Sequence, residues 1–297
     1  MKLTSHGHEI DTSPAKFGEL RDSSALAGDM PALRARIAED GYLLLRGYLD
    51  REVVMAARQE IFGKLARLGS FDSTAPLLEG IAAPRSERRD YSQAGWKDQA
   101  AFAKDLRTGV AIRELCHRGR IIAFFERFLG GEVRPLDYIW IRVVRVGGAT
   151  ACHYDRVYMG RGTPNLYTAW VPIGDVPLSD GALLILENSH RLEELQQTYG
   201  AIDVDRDREK NPYGGGSLST NPVEVQERYG GRWLTADFKA GDLLVFTMVT
   251  LHCSLDNQSP VNRIRLSSDS RYQLASEPAD ERWIGEDPIA HGPAAQR

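Results

Sequence analysis

Gly241-Asp242-Leu243-Leu244-Val245-Phe246-Thr247-Met248-Val249-Thr250-Leu251-His252 reads as a tight turn that feeds an apolar strand, with a histidine at the strand's far end. A second stretch, His153-Tyr154-Asp155, gives this histidine its meaning. On a strand, residues i and i+2 point to the same face, so an imidazole and a carboxylate would project side by side. Each piece alone has a plainer explanation: the tripeptide as a hydrogen-bonded surface pair, His252 as a buried histidine satisfied by the backbone. A β-sandwich can bring His252 across from His153 and Asp155. That completes two imidazoles and one carboxylate on a triangular face, the facial donor set that holds iron(II) with three coordination positions open.

Working outward from these two stretches, 138–146, 166–173, 182–186 and 243–248 are short, rich in β-branched or aromatic residues, and bounded by Gly, Pro or Asp. Strands of this kind with no helical period between them favour an antiparallel sandwich or barrel. The preceding part reads helical. Pro31 opens a segment that Gly41 ends, Tyr42 to Leu45 is a short strand, Asp50 caps a second helix that Gly69 stops, and helical periodicity returns from Asp98 to Leu129. Residues 70–95 look like a long surface connection. Residues 190–233 are polar and Gly-rich, with at most one short helix near Leu192 to Tyr199. A stretch of that length inside a domain suggests a functional loop, here a mobile lid that includes Asp203 to Lys210 and Gly214 to Gly216.

The 297 residues fit one domain with a helical part at about 30–130 and a β core at about 132–275. A net charge of -4 gives no electrostatic reason to expect a nucleic-acid or anionic-membrane partner, which leaves small molecules. No run of about 18 apolar residues is present and the first residues lack an apolar signal core, so a cytoplasmic location is expected. Cys116, Cys152 and Cys253 form no paired framework. Cys152 and Cys253 adjoin the two histidines, and neighbours on a strand point to the opposite face, so they are not expected to bind the metal.

Taken in order, EDGYLLLRGYLDREVV from Glu39, His153-Tyr154-Asp155, AWVPIGDV from Ala169, DGALLILENSHR from Asp180, GDLLVFTMVTLHCS from Gly241 and the arginine that follows resemble the phytanoyl-CoA dioxygenase family of 2-oxoglutarate-dependent oxygenases. The resemblance covers most of the chain. It implies a mainly β protein with N-terminal α-helices, built on a double-stranded β-helix (a cupin-like jelly roll). It implies iron(II), the cosubstrate 2-oxoglutarate and O2, with His153, Asp155 and His252 as metal ligands. Arg263 matches the arginine that pairs with the distal carboxylate of 2-oxoglutarate, and Ser254 the hydroxyl that assists it. Arg265, on the same face of a strand, is the competing anchor. Trp170 matches an aromatic residue beside metal and cosubstrate, with plain core packing as its alternative, and Tyr138 lies on a strand that lines the cosubstrate pocket in such enzymes.

The sequence departs from the family at Glu187-Asn188-Ser189-His190, where Pro-Gly-Ser-His is common; Asn188 can still adopt the left-handed conformation of that turn. The implied reaction oxidises a C–H bond of a small molecule and releases succinate and CO2. Desaturation, epoxidation or cyclisation on the same site remain open. Halogenation is disfavoured because Asp155 is present, and a non-catalytic ligand- or metal-binding jelly roll because such a module needs no cosubstrate anchor. Neither the substrate nor the oligomeric state is specified by the sequence.

Overall fold

The computed structural model describes residues 2–209, 211–212 and 215–296. Asp29 accepts a hydrogen bond from the Ala32 amide and Pro31 occupies the first turn, so helix Met30–Asp40 starts there; it ends where Gly41 turns left-handed at φ 80°. Helix Arg51–Arg67 follows and buries Val54, Ala57, Ile61, Phe62 and Leu65. The Asp98–Leu129 stretch, expected as one helical region, is three helices: Gln99–Arg107, Val110–His117 and Gly119–Leu129. The last break falls where Arg118 is extended and Gly119 is left-handed, a combination that stops the hydrogen-bond ladder.

A six-stranded antiparallel sheet takes these helices on one face. Its order is Tyr42–Leu45, Leu243–Thr247, Tyr167–Pro172, Arg265–Leu274 and Val133–Pro135, with Trp140–Val144 also paired to Arg265–Leu274. A four-stranded sheet orders His252–Ser254, Leu183–Leu186, Trp233–Thr235 and Phe17–Glu19, the last pair parallel. The period-two alternation of the central strands divides the apolar residues. Leu43, Leu45, Ala169, Val171, Leu243 and Val245 pack towards the helices. Tyr42, Leu44, Trp170, Leu244 and Phe246 pack with Leu184, Leu234, Phe238 and Cys253 of the other sheet and its flanks. The same alternation along Arg265–Leu274 sends Leu266 and Tyr272 to the helix side and leaves Arg265, Asp269 and Arg271 for the opposite face.

Within 190–233 the structure has the one short helix expected near Leu192 to Tyr199 and a second α-helix that was not expected. Glu193–Gln197 is a short helix, and Pro222–Tyr229 is a second, capped by the Asn221 side chain, which accepts from the amides of Val223 and Glu224. Asn-Pro-Val-Glu is a start signal of the ordinary kind, hidden in polar surroundings. Asp203 pairs with Arg161 and Asp205 with Arg282, which fastens this part of the expected lid to the body. Lys210 and Gly214 of that lid lie outside the described residues. Among the described residues no helix is long and apolar enough to cross a membrane.

The helical layer is held at Phe125, which is fully buried and stacked on Tyr272 with ring centroids 4.1 Å apart. Phe125→Ala removes the stack and leaves a cavity, so chemical denaturation should show a loss of about 3–5 kcal/mol. A loss under about 1 kcal/mol would mean that the helices do not depend on this face.

Candidate metal centre

His153 and His252 form a mutual backbone pair: the His153 amide donates to the His252 carbonyl at 3.0 Å and the His252 amide to the His153 carbonyl at 3.2 Å. Directly opposed residues of an antiparallel pair share a face, so the imidazoles meet, with ring centroids 4.1 Å apart. Asp155 arrives differently from the strand geometry expected. It is helical (φ −64°, ψ −28°) and begins the turn Arg156–Met159, which swings its carboxylate under the rings. Its Oδ1 lies 3.6 Å from His153 Nε2 and 4.0 Å from His252 Nε2, and all three donor atoms fall within 4.8 Å of one another.

Each imidazole is aimed by its other nitrogen. His153 Nδ1 lies 2.8 Å from the Ala151 carbonyl and His252 Nδ1 lies 3.0 Å from that of Thr250, so both Nδ1 atoms carry the proton and both Nε2 lone pairs face the centre. The second oxygen of Asp155 is held by the Thr168 hydroxyl at 2.5 Å and the Arg271 guanidinium at 2.8 Å, leaving Oδ1 for a metal. Burial alone would raise the Asp155 carboxyl, but Arg271 and the two histidines outweigh it and hold it well below the usual carboxylate range. Two imidazoles and one ionised carboxylate converging on one point are the donor chemistry that iron(II) takes.

A narrow pocket runs inward from the two histidines, past Trp170 and Ser254, to Arg265. Arg265 is buried, donates through Nη1 to Ser267 Oγ at 2.8 Å, and keeps a buried Nε with no partner among the described residues. Burial lowers its pKa to about 10, so it stays charged at neutral pH. An unpaired guanidinium edge in a narrow pocket beside a metal site fits a carboxylate ligand. Ser254 Oγ accepts from the Thr150 amide at 2.8 Å and keeps its own proton to donate.

The structure does not bring Arg263 to this pocket. Strand pairing starts at Arg265, opposite Val144, so Arg263 stays in the preceding loop, where it bonds the Glu79 carbonyl and pairs with Asp180 at 3.1 Å. Tyr138 is also elsewhere. It precedes the strand Trp140–Val144, packs against Trp140 and Trp283, and lies beneath the Arg107 guanidinium. Trp140, two residues on, borders the outer cavity in its place. Trp170 both lines the pocket and packs on Phe238 at 4.7 Å. Asn188 is left-handed (φ 60°), as its turn requires, and Cys152 and Cys253 point into the buried apolar cluster.

Sequence reasoning missed Thr168, Arg271, Arg142, Asp269, Tyr158 and His291. Arg265, Asp269 and Arg271 sit at alternate positions of one strand, so charged residues recurring with period two were the available signal. Thr168 and His291 carry none.

This fold and this donor set define an iron- and 2-oxoglutarate-dependent oxygenase. The model of the phytanoyl-CoA dioxygenase (PhyH) family matches residues 37–265, more than half of the chain, and the chain belongs to that family. Curated relatives include the 1-deoxypentalenic acid 11-beta-hydroxylases of Streptomyces exfoliatus, 26% identical over 268 residues (86% of this chain, 85% of the relative), and of Streptomyces arenae, 26% identical over 273 residues (88% and 87%). Among solved structures, the epimerase SnoN in complex with Fe3+, alpha ketoglutarate and nogalamycin RO is similar in fold, with TM-score 0.56, 22% identity, and 89% of this chain and 94% of that one covered. The apo form of EctD from S. alaskensis gives TM-score 0.53 at 16% identity, covering 98% and 94%.

Burial, with His153 adding to it, pushes the His252 imidazole down to about 4 without metal, and burial does the same to His117. The unfolded chain takes up a proton at each near pH 6.5 and the folded chain only near 4. Stability of the iron-free protein should therefore fall as pH drops from about 6.5 to 4, by up to about 1.4 kcal/mol per pH unit for each histidine. In denaturation series across that range, His252→Asn should remove one proton from the slope; an unchanged slope would mean that the site is open to water.

Proposed function

We propose that the chain is a single jelly-roll oxygenase domain that hydroxylates a C–H bond of a small organic molecule at the expense of 2-oxoglutarate and O2. The observation that carries the reading is the convergence of His153 Nε2, His252 Nε2 and Asp155 Oδ1 beside the unpartnered Nε of Arg265. Bound iron(II) with 2-oxoglutarate supplies the oxidising chemistry, with loss of CO2 and succinate. The chain's own residues bind, orient and exclude water. His153, Asp155 and His252 hold the metal; Thr168 and Arg271 fix which carboxylate oxygen faces it. Arg265 takes the distal carboxylate of 2-oxoglutarate in place of Arg263, which is committed to Asp180. Ser254 donates to that carboxylate, and Trp170 walls the pocket. The relatives' names support hydroxylation of a small molecule as the outcome. The three cysteines, all buried and unpaired, suit a reducing cytoplasm.

Incubating the iron(II)-loaded protein with 2-oxoglutarate in air should give succinate, and Asp155→Ala should abolish both iron retention and succinate. Succinate formation by Asp155→Ala at the wild-type rate would remove Asp155 from the site.

The two arginines are separable by one measurement. Arg265→Gln should weaken 2-oxoglutarate binding by about 2–5 kcal/mol, since it strands a buried charge, while Arg263→Gln should change it by less than about 1 kcal/mol. Anaerobic titration of both variants reads the difference, and the reverse order would return the anchor to Arg263.

A further inference from the structure

In front of the metal site opens a cavity of about 560 Å³, walled by Trp140, Tyr158 and His291 and carrying the charges of Arg142 and Arg271. Among the described residues Asp155 is its one acidic group, and that carboxylate is taken by Arg271. Arg142 is different. Its Nε donates to Asp269 at 2.7 Å, yet among the described residues nothing accepts from either of its Nη groups. Its side chain keeps 36% of its surface open, and it borders both the outer cavity and the inner pocket.

The charge balance says what those two Nη groups await. With iron(II) and doubly charged 2-oxoglutarate in place, Asp155 and Asp269 face Arg142, Arg265 and Arg271, and the site keeps one net positive charge. Free Nη donors turned into a cavity that carries a net positive charge favour an anion, so the remaining component should bring a single negative charge. The planar Nη edge of a guanidinium matches a carboxylate in bidentate fashion, and the aromatic walls suit an apolar body.

We propose that the substrate is a monocarboxylate on an apolar skeleton, its carboxylate seated on the Nη edge of Arg142 and its body against Trp140 and Tyr158. The assignment rests on the oxygenase reading and adds the substrate's class to it. The carboxylate fixes one end of the molecule and thereby selects which C–H bond faces the metal. A dianionic phosphate would overcompensate the site, as would a coenzyme A thioester with its several phosphates.

The test uses the anaerobic iron(II)–2-oxoglutarate protein, titrated with decanoate, cyclohexanecarboxylate and adamantane-1-carboxylate and with the primary amide of each, read by tryptophan fluorescence. At least one acid should bind about tenfold or more tightly than its amide, equivalent to about 1.4 kcal/mol. Arg142→Gln should erase that preference while 2-oxoglutarate affinity, read from the visible absorbance of the complex, stays within about threefold. Because that variant leaves Asp269 unpaired, the Arg142→Gln/Asp269→Asn double variant, which removes both charges together, should show the same loss in a folded protein. If no acid is preferred over its amide by the wild type, or if the preference survives in both variants, the proposal is overturned. It is equally overturned if the variants lose 2-oxoglutarate in place of the acid, which would make Arg142 a cosubstrate residue. A wild type that binds no 2-oxoglutarate would overturn the oxygenase reading itself, and this assignment with it.

Discussion

The two hydrogen bonds exchanged by the backbones of His153 and His252 are the constraint on which the rest of the site depends. They join a loop residue to the edge strand of the smaller sheet and fix two imidazoles on one face without any side-chain adjustment. Everything else is then a matter of reach. The helical turn after Asp155 lifts its carboxylate towards the rings, and the long strand Arg265–Leu274 lies opposite, presenting Arg271 at one level and Arg265 at another. Moving the register of that strand by one residue would turn the whole row of charges into the helix-facing core.

Keeping ions inside a β-sandwich is unfavourable unless each finds a partner. Here the partners form a chain across the cavity: Asp155 with Arg271, Asp269 with Arg142, and Arg265 held by Ser267. The Arg271 guanidinium lies over the Trp140 ring at 4.3 Å, which offers the cation a π face. Among the described residues, one oxygen of Asp269, the Nε of Arg265 and the Nε of Arg271 are buried and find no partner. Unsatisfied groups gathered in one place mark a binding space that the protein alone does not fill.

Alternation and turn chemistry made the central strands and the metal triad legible, because a period of two and a short H-x-D motif are local properties. What local pattern could not supply was the start of the last strand. Arg263 and Arg265 are both basic, two residues apart on one face of an extended chain, and the family pattern favoured Arg263; pairing of Arg265 with Val144, a contact across more than a hundred residues, is what places Arg265 at the pocket. The Pro222–Tyr229 helix was masked by its polar setting although Asn221 and Pro222 announced it. Thr168 looks like any other strand threonine until the fold sets it against Asp155. Tyr138 was assigned by analogy to a strand that begins two residues later.

The clamp on Asp155 also bears on which ion is found in the protein. With its second oxygen engaged by Thr168 and Arg271, the carboxylate is a one-atom donor, and the site offers two nitrogens and a single oxygen in a fixed triangle. Nickel and copper bind such a set more tightly than ferrous iron does, following the general order of divalent affinities, and zinc competes as well. Nothing in three rigid small donors reverses that order. The metal content of a preparation should therefore depend on the ions it has met, with nickel from an affinity resin among the competitors.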